Sequence, residues 1–171
     1  MGYTVDDQYW MKQALELAMQ AGKRNEVPVG ALVVLDDQVV GRGFNSPISD
    51  CDPSAHAEIQ AIRDAASRLE NYRLVDATLY VTIEPCSMCA GAIVHSRIKR
   101  LVYGALEPKA GVATSQTPFF EQSWLNHRVE VQGGVLAEEC SSIMSDFFAR
   151  RRDEKRQAKH VMTCEGSNPE A

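Results

Sequence analysis

Helical and strand periods alternate along this chain. Trp10, Ala14, Leu17 and Ala21 recur at helical spacing and predict a first helix from about Asp6 to Lys23. Thr4-Val5-Asp6-Asp7 resembles a capping box at its start. The unbroken apolar run Val29 to Leu35 reads as a buried strand; Asp36-Asp37 turns it and Gln38 to Phe44 returns, which makes a hairpin. Asn45-Ser46-Pro47 through Asp52-Pro53 is loop by its punctuation. Ser54 is placed to cap a helix from about Ala55 to Leu69, which puts His56 and Glu58 in its first turns. Thr78 to Ile83 is β-rich and stops just before Glu84, and a further helix runs from Cys86 to about His95. Leu101 to Ala105 and the short Val129 to Val131 are the last strands, separated by a loop-rich segment from Glu107 to Asn126 that Gly111 and Pro118 break. Leu136, Cys140, Ile143, Met144 and Phe147 mark the apolar face of a long final helix that runs into Arg150-Arg151-Arg152. From Asp153 the apolar period fades, and Glu165 to Ala171 reads as a disordered tail. Strands alternating with helices predict an α/β fold in helix–sheet–helix layers, with no internal repeat and no second domain.

Composition narrows the class without naming a function. The chain has 171 residues, enough for one domain with a sizeable core, and its 44% hydrophobic and 24% charged fractions are those of a soluble globular protein. No stretch approaches the roughly 20 apolar residues a membrane helix needs, and the N-terminus lacks the basic-then-apolar layout of a signal peptide. Five cysteines are an odd number, so a disulfide framework is not expected, and a reducing cytoplasm is the default location. Cys51, Cys140 and Cys164 read as free thiols, Cys140 packing as a small hydrophobe. The net charge of −5 argues against indiscriminate nucleic-acid binding. Arg150, Arg151, Arg152, Lys155, Arg156 and Lys159 are nonetheless the densest basic patch on the chain. Such a run is usually a solvated helix face; on an acidic chain it is also a candidate phosphate contact.

Chemistry concentrates in Glu84-Pro85-Cys86-Ser87-Met88-Cys89, read with His56-Ala57-Glu58. Cys86 and Cys89 have the spacing that lets two thiolates from one turn grip a Zn²⁺, and His56 supplies a third ligand. Structural zinc sites close all four positions, whereas catalytic ones keep three protein ligands and leave the fourth to water. Glu58 stands two residues from His56, near enough to accept a proton from a zinc-activated water without ligating the metal. A lone C-x-x-C is also compatible with a redox pair or half of a zinc ribbon. The order H-A-E followed by P-C-x-x-C is the known signature of zinc-dependent nucleobase deaminases. Both ligand groups fall at predicted helix N-termini, where the positive dipole end favours thiolate.

On these residues the chain resembles the bacterial tRNA-specific adenosine deaminases of the zinc-dependent cytidine and deoxycytidylate deaminase superfamily. The resemblance covers the chain up to Arg152 and rests on Glu26 to Ala31, His56 to Ile59 and Glu84 to Ala92, with Ser96-Arg97-Ile98, Asn126-His127-Arg128 and Asp146-Phe147-Phe148. It implies a deaminase domain over 1–152 and a helical extension with its tail over 153–171. It also implies a five-stranded mixed sheet in a cytidine-deaminase-like three-layer fold, a homodimer, and conversion of adenosine to inosine at the wobble position of a tRNA anticodon stem-loop. His56, Cys86 and Cys89 would then bind one Zn²⁺ per chain and Glu58 would carry the proton. Asn45 matches the loop asparagine that hydrogen-bonds the purine, and Val29 and Pro85 fall where the family lines the base pocket. Lys109, Phe147 and Arg151 are the further expected RNA contacts. The chain departs from the family pattern at Glu107 and Pro108, in the run Lys109 to Ser115, and from Gln122 to Leu125.

Two function classes stay open on sequence alone. One is a hydrolase, acting on RNA or on free bases and nucleosides; the other is a zinc-stabilised binding module. The module would need a fourth ligand and has no use for Glu58, and a small-substrate enzyme has no use for a basic tail helix.

Overall fold

The computed structural model describes the backbone of residues 5–165 and the side chains of 6–158. Thr4 of the expected capping box, the tail after Glu165, and the side chains of Lys159 and Cys164 lie outside the described residues. Among the described residues four α-helices and five strands follow one another as α1 (Val5–Lys23), β1 (Gly30–Leu35), β2 (Gln38–Phe44), α2 (Ala57–Arg68), β3 (Thr78–Ile83), α3 (Ser87–His95), β4 (Arg100–Ala105), β5 (Glu130–Gln132) and α4 (Ala137–Glu165). A single 3₁₀ turn, Phe119–Glu121, interrupts the long loop before β5. Among the described residues no helix is long and apolar enough to cross a membrane.

The strands form one mixed sheet in the order β2-β1-β3-β4-β5. β1 pairs antiparallel with β2 and with β3, while β3–β4 and β4–β5 are parallel. The β1–β2 hairpin closes on Asp36 and Asp37, both at positive φ, as a tight hairpin turn requires. Buried residues alternate between the sheet's two faces, because successive strand side chains point opposite ways. Ala31, Val33, Leu79, Val81, Leu101 and Tyr103 pack with Ala57, Ala61 and Ala65 of α2 and with Ala90, Ile93 and Val94 of α3. Leu32, Val34, Tyr80 and Val102 pack the other way, against Met11, Ala14 and Leu17 of α1 and Cys140 of α4. This is the expected three-layer α/β sandwich, with a five-stranded mixed sheet at its centre.

Two contacts fix the helices on the sheet. Asp7, in the first turn of α1 and 1% exposed, accepts two hydrogen bonds from Arg100 at 2.6 and 3.0 Å and one from the Tyr80 hydroxyl at 3.0 Å. Burial and the Asp7 charge push Tyr80 far above the ordinary phenol range. On the opposite layer, α2 lies directly on β2 where the strand carries Gly41 and Gly43. A side chain at Gly41 would overlap the Ala61 carbonyl, and one at Gly43 the Ala57 carbonyl. Main chain therefore rests on main chain beneath the helix that His56 precedes.

Helix ends depart from the sequence expectation in one place that matters. Ser54 does not cap α2: its N–H and hydroxyl both turn back to Asp52 Oδ1, at 2.8 and 2.7 Å, in a local Asx-type turn. The helix starts at Ala57, and His56 is its N-cap residue. At the other end of the chain α4 continues through the polar segment after Asp153. Pairs one helical turn apart, Arg150–Glu154, Arg151–Glu154 and Asp153–Arg156, run along that stretch.

Candidate active site

His56 and Cys86 occupy the same local position on two different helices. Each is an N-cap residue with extended backbone, φ −76° and ψ 153° for His56, φ −76° and ψ 173° for Cys86, and neither side chain caps its helix. They face each other instead: Cys86 Sγ lies 3.7 Å from His56 Nδ1. Cys89, one turn into α3 and fully buried, brings its Sγ to 3.6 Å from the same nitrogen. The three ligand atoms lie within 4.8 Å of one another, and no other His, Cys, Asp or Glu among the described residues joins them.

These distances fit a tetrahedral zinc. With Zn–N about 2.0 Å and Zn–S about 2.3 Å, nitrogen and sulfur stand about 3.5 Å apart across a tetrahedral angle. The donor set, two thiols and one imidazole, is the soft set zinc prefers. Local electrostatics point the same way, since two adjacent thiols resist joint ionisation. The hydrogen bond with Cys89 draws Cys86 down to about 4, against burial and with help from His56. The same bond and burial push Cys89 far above the usual thiol range. His56 is raised, chiefly by its bond to Cys86. A divalent cation removes this conflict, and the positive ends of α2 and α3 favour the thiolates further.

Glu58 sits in the first turn of α2 with 3% of its surface exposed. Burial raises its carboxyl above the usual range, and the nearby Cys86 charge adds to that. A buried carboxyl whose charge is disfavoured in this way, beside three ligand-type residues, is the candidate proton carrier of the site.

Asn45, 8% exposed, supplies the cap that His56 and Ser54 withhold: its Oδ1 accepts the Ala57 N–H at 2.9 Å. A backbone N–H donor fixes which end of the amide faces the helix. The Nδ2 end has no protein partner among the described residues and is not sealed from solvent. Val29 lies just before β1, and its carbonyl accepts the Asn45 N–H at 3.0 Å. Pro85 precedes Cys86, and its carbonyl accepts the Val112 N–H at 3.0 Å. Val29 and Asn45 are thus tied to the start of α2, and Pro85 to the start of α3.

The expected RNA-contacting residues divide. Lys109 and Arg151 meet, lining a cavity of about 350 Å³ with Phe148, Arg152 and Lys155. Arg151 is paired to Glu154 at 2.9 Å, whereas Lys109, Arg152 and Lys155 have no carboxylate partner among the described residues. Phe147 lies elsewhere. It falls on the apolar stripe of α4, is 8% exposed, and faces Met19, Gly22 and Pro28. The neighbouring Phe148, 43% exposed, is the ring that borders the cationic cavity. Arg150 also leaves the cluster, stacking over Phe147 and donating to the Gly22 carbonyl at 3.2 Å. Consecutive helical residues point about 100° apart, so three arginines in a row cannot share one patch.

Two buried carboxylates gained no role from the sequence. Glu26 accepts from Ser49 N–H and its hydroxyl, both at 2.7 Å, and so fixes the loop that follows Asn45. Glu84 gathers the loop after β4. Burial works against its charge, but bonds from Ser115, Glu107 and Thr114 hold it below the usual carboxylate range. The available signal was at Glu84 alone, an acid between Ile83 and Pro85 that demands buried partners the sequence does not identify; Glu26, after Asn25, carried none.

Comparison with known proteins is consistent with this site. Residues 5–152 match the MafB19-like deaminase family. The tRNA-specific adenosine deaminase of Haemophilus influenzae is 52% identical over 157 residues, covering 91% of each chain. That of Bacillus subtilis is 40% identical over 153 residues, 90% of this chain and 95% of the relative. A solved structure from studies of A-to-I editing by tRNA:A34 deaminases at the wobble position superposes with a TM-score of 0.77 at 46% identity, over 79% of this chain and 98% of that one. Guanine deaminase from Nitrosomonas europaea shares the fold, at a TM-score of 0.71 and 21% identity over 87% of this chain and 86% of that one. With relatives this similar over nearly their whole length, the chain belongs to the family of tRNA-specific adenosine deaminases.

Proposed function

We propose that this protein is a zinc-dependent hydrolase that converts adenosine to inosine at the wobble position of a tRNA anticodon. It binds the anticodon stem-loop, carries one Zn²⁺ per chain, and works in the cytoplasm as a homodimer. The observation that carries the reading is a cluster of three ligands, not four, with a buried acid beside it. A purely structural zinc would take a fourth protein ligand, and none is present among the described residues. When bound, the Zn²⁺ supplies Lewis acidity that makes a water nucleophilic near neutral pH.

The chain's own residues do the rest. Glu58 accepts the proton of the attacking water, delivers it to N1 of the purine, and then assists the departing ammonia; one water is consumed and one ammonia released. Asn45 Nδ2 donates to an acceptor on the purine while Oδ1 stays on Ala57, so the base is located relative to α2 itself. Val29 and Pro85 form apolar walls. Lys109, Arg151, Arg152 and Lys155 meet phosphates, and Phe148 offers a ring face to a splayed base. A base already unstacked in a loop lowers the cost of entry into such a pocket.

The test is ammonia release from three substrates: an anticodon stem-loop with adenosine at the wobble position, free adenosine and free guanine. Turnover of the stem-loop with little of either small molecule is expected. Turnover of a free base or nucleoside without the stem-loop would overturn the reading. Light scattering of the zinc-loaded protein should give twice the chain mass, and a monomer at all working concentrations would remove the homodimer.

A further inference from the structure

Glu84 is the first residue after β3 and stands two before Cys86, with 2% of its surface exposed. A carboxylate buried that deeply must be answered by donors. Four converge on it: the N–H groups of Thr114 and Ser115 on Oε1, at 2.7 and 2.8 Å, and the Glu107 N–H at 3.0 Å with the Ser115 hydroxyl on Oε2. All four belong to the loop between β4 and β5. The carboxylate therefore does nothing for its own strand and gathers a segment more than twenty residues away in the chain.

That segment is laid along the metal-type cluster. Gly111 pairs with Cys86 in an isolated antiparallel bridge, and the Val112 N–H donates to the Pro85 carbonyl at 3.0 Å. Contact at Gly111 is tight: a Cβ there would overlap the Glu84 carboxyl group. Tyr103 and Thr114 hydroxyls meet at 2.7 Å on the far side of the loop. Lys109, at the loop's outer bend, is the residue that reaches the cavity lined by Phe148, Arg151, Arg152 and Lys155.

We propose that Glu84 is a positioning residue: it seats the 107–116 loop on the Pro85–Cys86 turn and so sets where Lys109 meets the RNA. The role rests on the deaminase reading above, and it assigns Glu84 to substrate binding, not to metal ligation or proton transfer. The geometry makes Glu84→Gln a sharp perturbation. Whichever oxygen becomes NH₂ then faces two former donors, and only the Ser115 hydroxyl can rotate to accept. At least one backbone N–H of the loop is left unmatched.

The experiment uses the zinc-loaded full chain and the anticodon stem-loop. Glu84→Gln should raise KM about tenfold, the equivalent of one charge-assisted hydrogen bond, with kcat within about threefold. Metal analysis should still give about one zinc per chain, and hydrogen exchange should quicken at the 107, 114 and 115 amides while β1 and β3 stay protected. Gly111→Ala, which presses the loop off an intact Glu84, should give a similar KM. In the double variant the two effects should coincide, not multiply, because both act through one loop seat. Unchanged KM with unchanged loop exchange in Glu84→Gln overturns the proposal. So does loss of zinc, which would place Glu84 with the metal ligands, and so does a multiplicative double variant. If Glu84→Gln does not fold, Gly111→Ala decides alone: raised KM supports the seat, and wild-type KM removes it. Should the wild-type chain fail to act on the stem-loop, the deaminase reading falls, while the exchange measurement still reports whether Glu84 seats the loop.

Discussion

Asn45 holds a helix with one end of its amide and, on the reading above, a purine with the other, so two substitutions should separate the two tasks. Among the described residues its Oδ1 is the side-chain cap on α2, accepting the buried Ala57 N–H at 2.9 Å. Asn45→Ala removes that acceptor and leaves a buried donor unpaired, which costs about 2 kcal/mol. For a domain of this length that is a fall of about 4–8 °C in melting temperature. It also removes Nδ2, and losing one hydrogen bond to a bound base should lower kcat/KM by about 10–100-fold. Asn45→Asp keeps an oxygen for Ala57 and adds a negative charge at a helix N-terminus, where it is tolerated or favoured. Its melting temperature should stay within about 3 °C of wild type while kcat/KM falls as far as in the alanine variant. The assays are thermal melting of zinc-loaded protein and inosine formation on the stem-loop. Wild-type kcat/KM in Asn45→Asp would refute the division of labour, because Nδ2 would then touch nothing that matters. Equal melting losses in both variants would refute the cap.

Further predictions concern the metal, the acid, the cationic cavity and a buried thiol. Glu58→Gln should lower kcat by about 10²–10⁴-fold while about one zinc per chain remains; loss of metal would make Glu58 a ligand instead of a proton carrier. Cys89→Ala should lose zinc, activity and stability together, since a metal held by His56, Cys86 and Cys89 would tie α2 to α3, and full zinc retention would remove Cys89 from the ligand set. Replacing Lys109, Arg152 and Lys155 with Ala should raise KM for the stem-loop and flatten the salt dependence of binding, with kcat little changed. An unchanged slope would return these residues to an ordinary solvated surface. Cys140, fully buried, is pushed up from 9.0 to about 12 by burial, with Glu139 adding to it. A folded pKa raised in this way leaves stability intact below pH 9 and erodes it as the pH climbs towards 12, by up to about 4 kcal/mol. Alkaline melting curves should show that decline, and Cys140→Ala should flatten it; an equally steep decline in the variant would clear Cys140.

The grouping of the candidate metal ligands was legible in the sequence because its members sit in two short motifs at helix starts, where spacing alone constrains geometry. His56, Glu58, Cys86 and Cys89 needed only that α2 and α3 begin side by side. The strand alternation was legible too, since burial on both faces leaves unbroken apolar runs such as Val29 to Leu35. What could not be read was long-range polar pairing. Ser54 has the composition of a cap, but a closer acceptor at Asp52 captures it, and Asn45 from twelve residues upstream takes its place. Glu26 and Glu84 carry no local sign of which loops they hold. The basic run on α4 looked like one patch in a linear string, whereas helical rotation turns Arg150 and Phe147 to one side and Arg152 and Phe148 to another.

The two glycines of β2 beneath α2 set a mechanical tolerance for the whole centre. Atoms of two main chains in contact neither compress nor change rotamer, so the height of α2 above the sheet is a hard stop. Shortening a side chain elsewhere in that layer, such as Val40 or Ile62, therefore cannot let the helix that carries Glu58 settle closer to the sheet. A cavity opened in this layer is thereby kept from drawing His56 and Glu58 toward the sheet.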